Sequence, residues 1–164
     1  MNAAGRPSLL VITLFSGALA LATSGVRAQH EHGHEHDSGP SAIVNLKLDG
    51  GEKWPTDATL RKGMAEIHAA FDADHPAIHA GEETDAQYEA LASRIEGQVN
   101  LIVANCKLPP AADANLHFVI ADLLQGVSLM RGQDAQRTRH DGAALVHGAL
   151  GAYGKYFDDP AFGR

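Results

Sequence analysis

Apolar residues recur at helical spacing in four separate stretches of the chain. The first runs from about Asp57 and carries Leu60, Met64, Ile67 and Phe71 at intervals of 4, 3 and 4, which predicts one helix with a single buried stripe. The second opens at Thr84-Asp85-Ala86-Gln87, where Thr84 and Gln87 have the spacing of a capping box, and continues through Tyr88, Leu91, Ile95, Val99 and Ile102. It ends near Cys106, because Pro109-Pro110 cannot continue it. The third, from about Ala111, carries Leu116, Ile120, Leu123, Leu124, Val127 and Met130 before Gly132. The fourth, from about Thr138 to Phe157, carries Leu145, Val146, Leu150, Tyr153 and Phe157. Its glycines, Gly142, Gly148, Gly151 and Gly154, each cost roughly 1 kcal/mol against alanine, so this helix is either the least secure or the most closely packed. Four helices of about 20 residues joined by short links predict an all-α, up-down-up-down four-helix bundle.

Upstream of the helices the pattern changes. Ile43-Val44 and the alternation Leu46-Lys47-Leu48 are stopped at once by Gly50-Gly51, so residues 43–57 are expected to lie on the bundle as an extended arm rather than to form a sheet. Trp54, followed by Pro55 and a Thr56-Asp57 cap, is expected to pack over the first helix as a staple. The bundle with its arm then occupies residues 43–164. Residues 29–42 are polar, rich in histidine and glycine, and expected to be a disordered tail and linker ending at Gly39-Pro40. Residues 1–28 have the layout of a secretory signal peptide: Arg6, the apolar run Leu9 to Ala22, and small residues at Val26 and Ala28 before a cut. The run is shorter than the ~20 residues a spanning helix needs, so no stable membrane anchor is expected after cleavage, and a periplasmic location follows.

Cleavage sharpens the charge. Thirteen basic residues less Arg6 and Arg27 leave eleven against twenty acidic ones, a formal charge of −9 on a mature chain of 136 residues, enough for one domain with a modest core. The remaining Lys and Arg are scattered, which excludes a nucleic-acid partner of the usual basic-patch kind. A single cysteine, Cys106, forbids an internal disulfide, so packing must supply the stability.

The candidate chemistry is metal binding. In "QHEHGHEHDSG", His30, His32, His34 and His36 alternate with Glu31, Gly33 and Glu35. Neutral imidazoles in a flexible segment suit a divalent transition metal, copper or zinc foremost, with the carboxylates adding negative charge. Cys106 and His117 flank the Pro109-Pro110 turn and fall within one to two turns of the same height in an antiparallel hairpin, where they could share an ion. His75 and His79 are four apart, but Pro76 lies between them and is expected to end the first helix or open a new turn, leaving a polar helix end. Met64 and His147 offer a Met/His pair of the kind that holds haem in some bundles, and the missing Cys-x-x-Cys-His motif excludes covalent attachment. No phosphate loop, nucleophile elbow, His-Glu-x-x-His pair or paired Glu-x-x-His signature is present, so a catalytic role is not expected.

The His-rich start, "KWPTDATLRKGMAEI" at 53–67 and "IVANCKLPPAADANLHFVIADLLQGVSLM" at 102–130 resemble a family of small exported proteobacterial proteins often labelled DnrO. The resemblance covers most of residues 29–160 and implies the bundle and the exported location, while implying no particular activity. Two functions are therefore expected. One is a periplasmic metal-buffering or carrier protein working through its tail. The alternative is a non-catalytic bundle that docks to an envelope protein partner, with the tail incidental.

Overall fold

The computed structural model describes residues 41–162. The expected signal peptide, residues 1–28, and the histidine stretch with His30, His32, His34 and His36 lie outside the described residues. Four α-helices follow a short 3₁₀ turn at Ala42–Asn45: α1 Ala58–Ala80, α2 Asp85–Asn105, α3 Pro110–Met130 and α4 Arg139–Tyr156. Each helix packs on the next and α4 returns to α1, closing an all-α four-helix bundle.

The helix starts follow from capping chemistry. Thr84 and Gln87 form a full capping box at α2, and Thr138 with Asp141 forms another at α4. Pro110 starts α3, where its missing N–H costs nothing. At α1 the Asp57 carboxylate accepts from the Leu60 N–H at 2.7 Å, and its second oxygen accepts from the Lys107 N–H at 2.6 Å, so one side chain caps a helix and ties down the α2–α3 link. Burial pushes the Asp57 carboxyl up, but hydrogen bonds from the Leu60 and Lys107 amides and the Cys106 thiol outweigh it and hold the group below its ordinary value. Its stabilising effect is therefore complete above the ordinary carboxyl range and lost as the pH falls below it. Asp57→Ala is expected to cost about 1 kcal/mol in urea unfolding at pH 7, and less at pH 3.

The stripes predicted from the sequence are the core. Leu60, Met64, Ile67 and Phe71 meet Leu91, Ile95, Val99 and Ile102 from α2, Leu116, Leu123 and Met130 from α3, and Val146, Leu150 and Tyr153 from α4. Leu124 and Leu145, counted in the stripes, are only half-buried. The glycines of α4 divide by position. Gly142 packs directly on α3 at Gly126, whereas a Cβ on Gly151 would meet nothing within 4 Å.

Two features depart from expectation. Helix α1 does not end at Pro76 but runs four residues past it and stops at Gly81, whose φ of 69° is the left-handed conformation glycine adopts most cheaply. A proline this close to the C-terminus forfeits only one hydrogen bond of the ladder, and Ile78 beyond it is buried, which holds the last turn in place. Trp54 is buried as expected, but its backbone pairs with the chain after α4: its N–H donates to the Tyr156 carbonyl and its own carbonyl accepts from the Asp158 N–H, both at 2.8 Å. Its indole N–H donates to the Lys47 carbonyl at 2.6 Å. The arm is pinned elsewhere by Asp122, a buried carboxylate of α3 that accepts from the Ser41 hydroxyl and, at 2.6 Å, from the Ala42 N–H. The segment after α4 folds back in turn, with the buried Tyr153 hydroxyl donating to Asp159 at 2.9 Å.

Glu83, in the α1–α2 link, buries both carboxylate oxygens without a hydrogen-bond partner. Burial first, and the nearby Asp74 charge second, push its carboxyl above its ordinary value, with Arg94 opposing them. A raised pKa in the folded state means that stability is lost as the pH rises through it. Glu83→Gln is accordingly expected to stabilise the protein by up to about 1 kcal/mol at pH 7, with the gain shrinking towards pH 4. Equal gains at both pH values would show that the charge is not the cause.

Candidate functional site

Because α1 continues through Pro76, His75 and His79 lie one above the other on the same face of an intact helix. That face borders α4, which presents His140 and His147, two turns apart and also on one face. Between them runs a groove of about 210 Å³ lined by all four histidines, with Phe71, Ile78 and Ala143 as its buried floor. The His75 and His147 rings lie parallel with centroids 5.6 Å apart, and the His75 and His79 centroids are 6.2 Å apart. Phe71 touches both His75 and His147, again at 5.6 Å.

A second hollow of about 430 Å³ continues the same seam beyond His147, lined by His68, Asp72, Leu150, Gly151, Lys155 and Phe162 among others. Here His68 is already engaged: its Nδ1 lies 3.1 Å from an Asp72 oxygen and its ring meets Phe162 edge-on. The seam stays open because α4 offers Ala144 and Gly151 there, side chains too small to bridge to α1. The four groove histidines are all exposed to solvent, and their imidazoles can offer nitrogen donors along one strip of surface. Among the described residues, no group of three or more His, Cys, Asp or Glu side chains is placed, as the side chains stand, to hold a metal ion.

The other residues predicted from the sequence fare differently. Cys106 is the C-cap of α2 and half-buried. Burial first, then the Asp57 charge and the thiol's hydrogen bond to Asp57, push its pKa up to about 11, so the free thiol keeps its proton at neutral pH. His117 is exposed and faces its own helix, with Nδ1 2.8 Å from the Asp113 carbonyl oxygen. The two residues thus have separate partners. Met64 and His147 are not brought together either: Met64 is fully buried, while His147 sits on the surface beside Phe71 and His75, two turns further along α1.

Sequence reasoning missed His140 altogether and did not join His147 to His75. The available signal was the seven-residue spacing of His140 and His147, which puts two imidazoles on one helical face. The expected break at Pro76 hid the partner face on α1. No protein-family profile, curated protein or solved structure matches the chain, so the likeness to DnrO-labelled proteins stands on the quoted motifs alone.

Proposed function

We propose that the protein is exported to the periplasm and there binds a divalent transition-metal ion, copper or zinc, as a buffer or carrier. One observation carries this reading. Eight of the ten histidines fall in two groups, His30, His32, His34 and His36 in the tail and His75, His79, His140 and His147 along one seam of the bundle. Scattered surface histidines do not segregate in this way, and imidazole is the side chain best suited to borderline divalent ions at neutral pH. The tail is the acquisition site, since alternating imidazoles and carboxylates wrap an ion without a preformed cage.

Isothermal titration of the chain from Gln29 onward with Cu(II) and Zn(II) tests the reading. Binding at micromolar concentration or tighter is expected, and changing the four tail histidines to glutamine is expected to lower the number of ions bound per chain. An unchanged number would remove the tail from the mechanism.

The alternative, a bundle that docks to an envelope protein, is favoured by one feature. Leu101 and Val103 near the end of α2 are 54% and 64% exposed, large apolar side chains that contribute nothing to this core. If the unaltered chain binds neither ion, a partner for that face becomes the object of search.

A further inference from the structure

We propose that the α1/α4 groove is itself a binding site for a borderline divalent ion, Zn(II) or Cu(II), with His75, His79 and His147 as ligands and His140 completing the set. The proposal deepens the metal-binding reading above and does not depend on the tail.

The spacing of the rings carries it. A ligating imidazole nitrogen lies ~2.0–2.1 Å from such an ion, which puts the ring centre about 3 Å away. Two rings sharing one ion at a tetrahedral angle therefore have centres about 5 Å apart, and about 6 Å at wider angles. The His75–His147 and His75–His79 separations of 5.6 and 6.2 Å fall at that spacing before any ion is present. What is lacking is the aim of the nitrogens, since His75 and His147 lie parallel rather than converging. Aim is the cheapest thing to supply: the rings are exposed, and such side chains change rotamer in picoseconds to nanoseconds without moving the helices.

The scaffold suits the task. Two histidines four apart on one helix form a rigid bidentate pair, the spacing used by helical zinc sites, and the third donor comes from a different helix, so the ion would clamp the loosest seam of the bundle. The floor of Phe71 and Ile78 is apolar and buried, which keeps water from one side of the ion and strengthens its bonds to the imidazoles. Neutral nitrogen donors without a thiolate select the borderline ions rather than Ca(II) or Mg(II), which demand oxygen.

The test uses the chain from Gln29 in four forms: unaltered, with the four tail histidines changed to glutamine, with His75→Ala plus His147→Ala, and with both sets of changes together. Each is titrated with Zn(II) and, separately, Cu(II). The tail variant is expected to keep one bound ion, and adding His75→Ala and His147→Ala to it is expected to weaken that binding by about tenfold or more. In the same tail variant, Zn(II) is expected to shift the ring resonances of His75, His79 and His147 and to leave His117 unmoved, a readout that needs no groove substitution. If the tail variant binds nothing while the unaltered chain does, the groove proposal is overturned and the tail reading stands; if its ion survives loss of His75 and His147, the groove proposal is overturned and the ion is held elsewhere in the bundle. If the groove variant alone loses all binding, the groove stands and the tail reading fails. Absence of binding in every form overturns both.

Discussion

Replacing Gly142 by alanine is expected to destabilise the bundle by about 3 kcal/mol, although alanine is the better helix former. A Cβ at this position would lie 2.7 Å from both the Gly126 carbonyl oxygen and the Met130 backbone nitrogen, and 2.8 Å from the Leu129 Cβ. Two of these are backbone atoms of α3 and cannot swing aside as a side-chain tip would. Relief requires α3 and α4 to separate along the most extensive helix contact in the protein. Gly126→Ala meets the same obstacle from the other side, with the Gly142 carbonyl oxygen at 2.8 Å. The control is Gly151→Ala on the same helix, where nothing lies within 4 Å and a gain of up to about 1 kcal/mol is expected from helix propensity alone. Urea unfolding of the two variants measures the contrast. Equal stabilities for Gly142→Ala and Gly151→Ala would show that α3 and α4 do not approach at glycine.

The second large effect is expected at Asp122. This carboxylate is 1% exposed on the core side of α3, where an apolar residue would ordinarily sit, and its oxygens accept from the Ser41 hydroxyl and the Ala42 N–H. Asp122→Ala removes the acceptor from these donors and leaves a space too small to be refilled, at a cost of about 2 kcal/mol. Ser41→Ala, which deletes one donor and keeps the backbone bond, is expected to cost about half as much. Amide exchange at Ala42 and Ile43 should accelerate in the aspartate variant before any change in the helices is seen. If the helices melt together with the arm, Asp122 serves the core and not the arm.

The four helices were legible in the sequence because their signals are local. Each stripe repeats within a few turns, Thr84 and Gln87 cap over three residues, and Pro109-Pro110 mark a break that the structure honours. The misreading at Pro76 shows the limit of local rules: burial of Ile78 two residues later decided the outcome, and burial is set by the other helices. Asp122 could not be interpreted, since its partners lie 80 residues earlier and an aspartate beside Leu123 looks like any solvated position. The groove was half legible. His75 and His79 were visible as a pair, but the ring that completes the strip, His147, is brought to them only by closure of α4 on α1. The state of Cys106 was likewise a matter of tertiary neighbours, because it is set first by burial and then by Asp57, which caps a different helix.

The pairing of Trp54 with the residues after α4 also has a kinetic meaning. The two partners of that bridge stand about 100 positions apart, and closing so long a loop slows its formation. The α3–α4 hairpin, by contrast, brings together residues close in sequence and is positioned to form early. In native-state hydrogen exchange the Trp54 and Asp158 amides should therefore open as one unit at lower free energy than the amides of α3, making this clasp the first part of the fold to let go and the last to close.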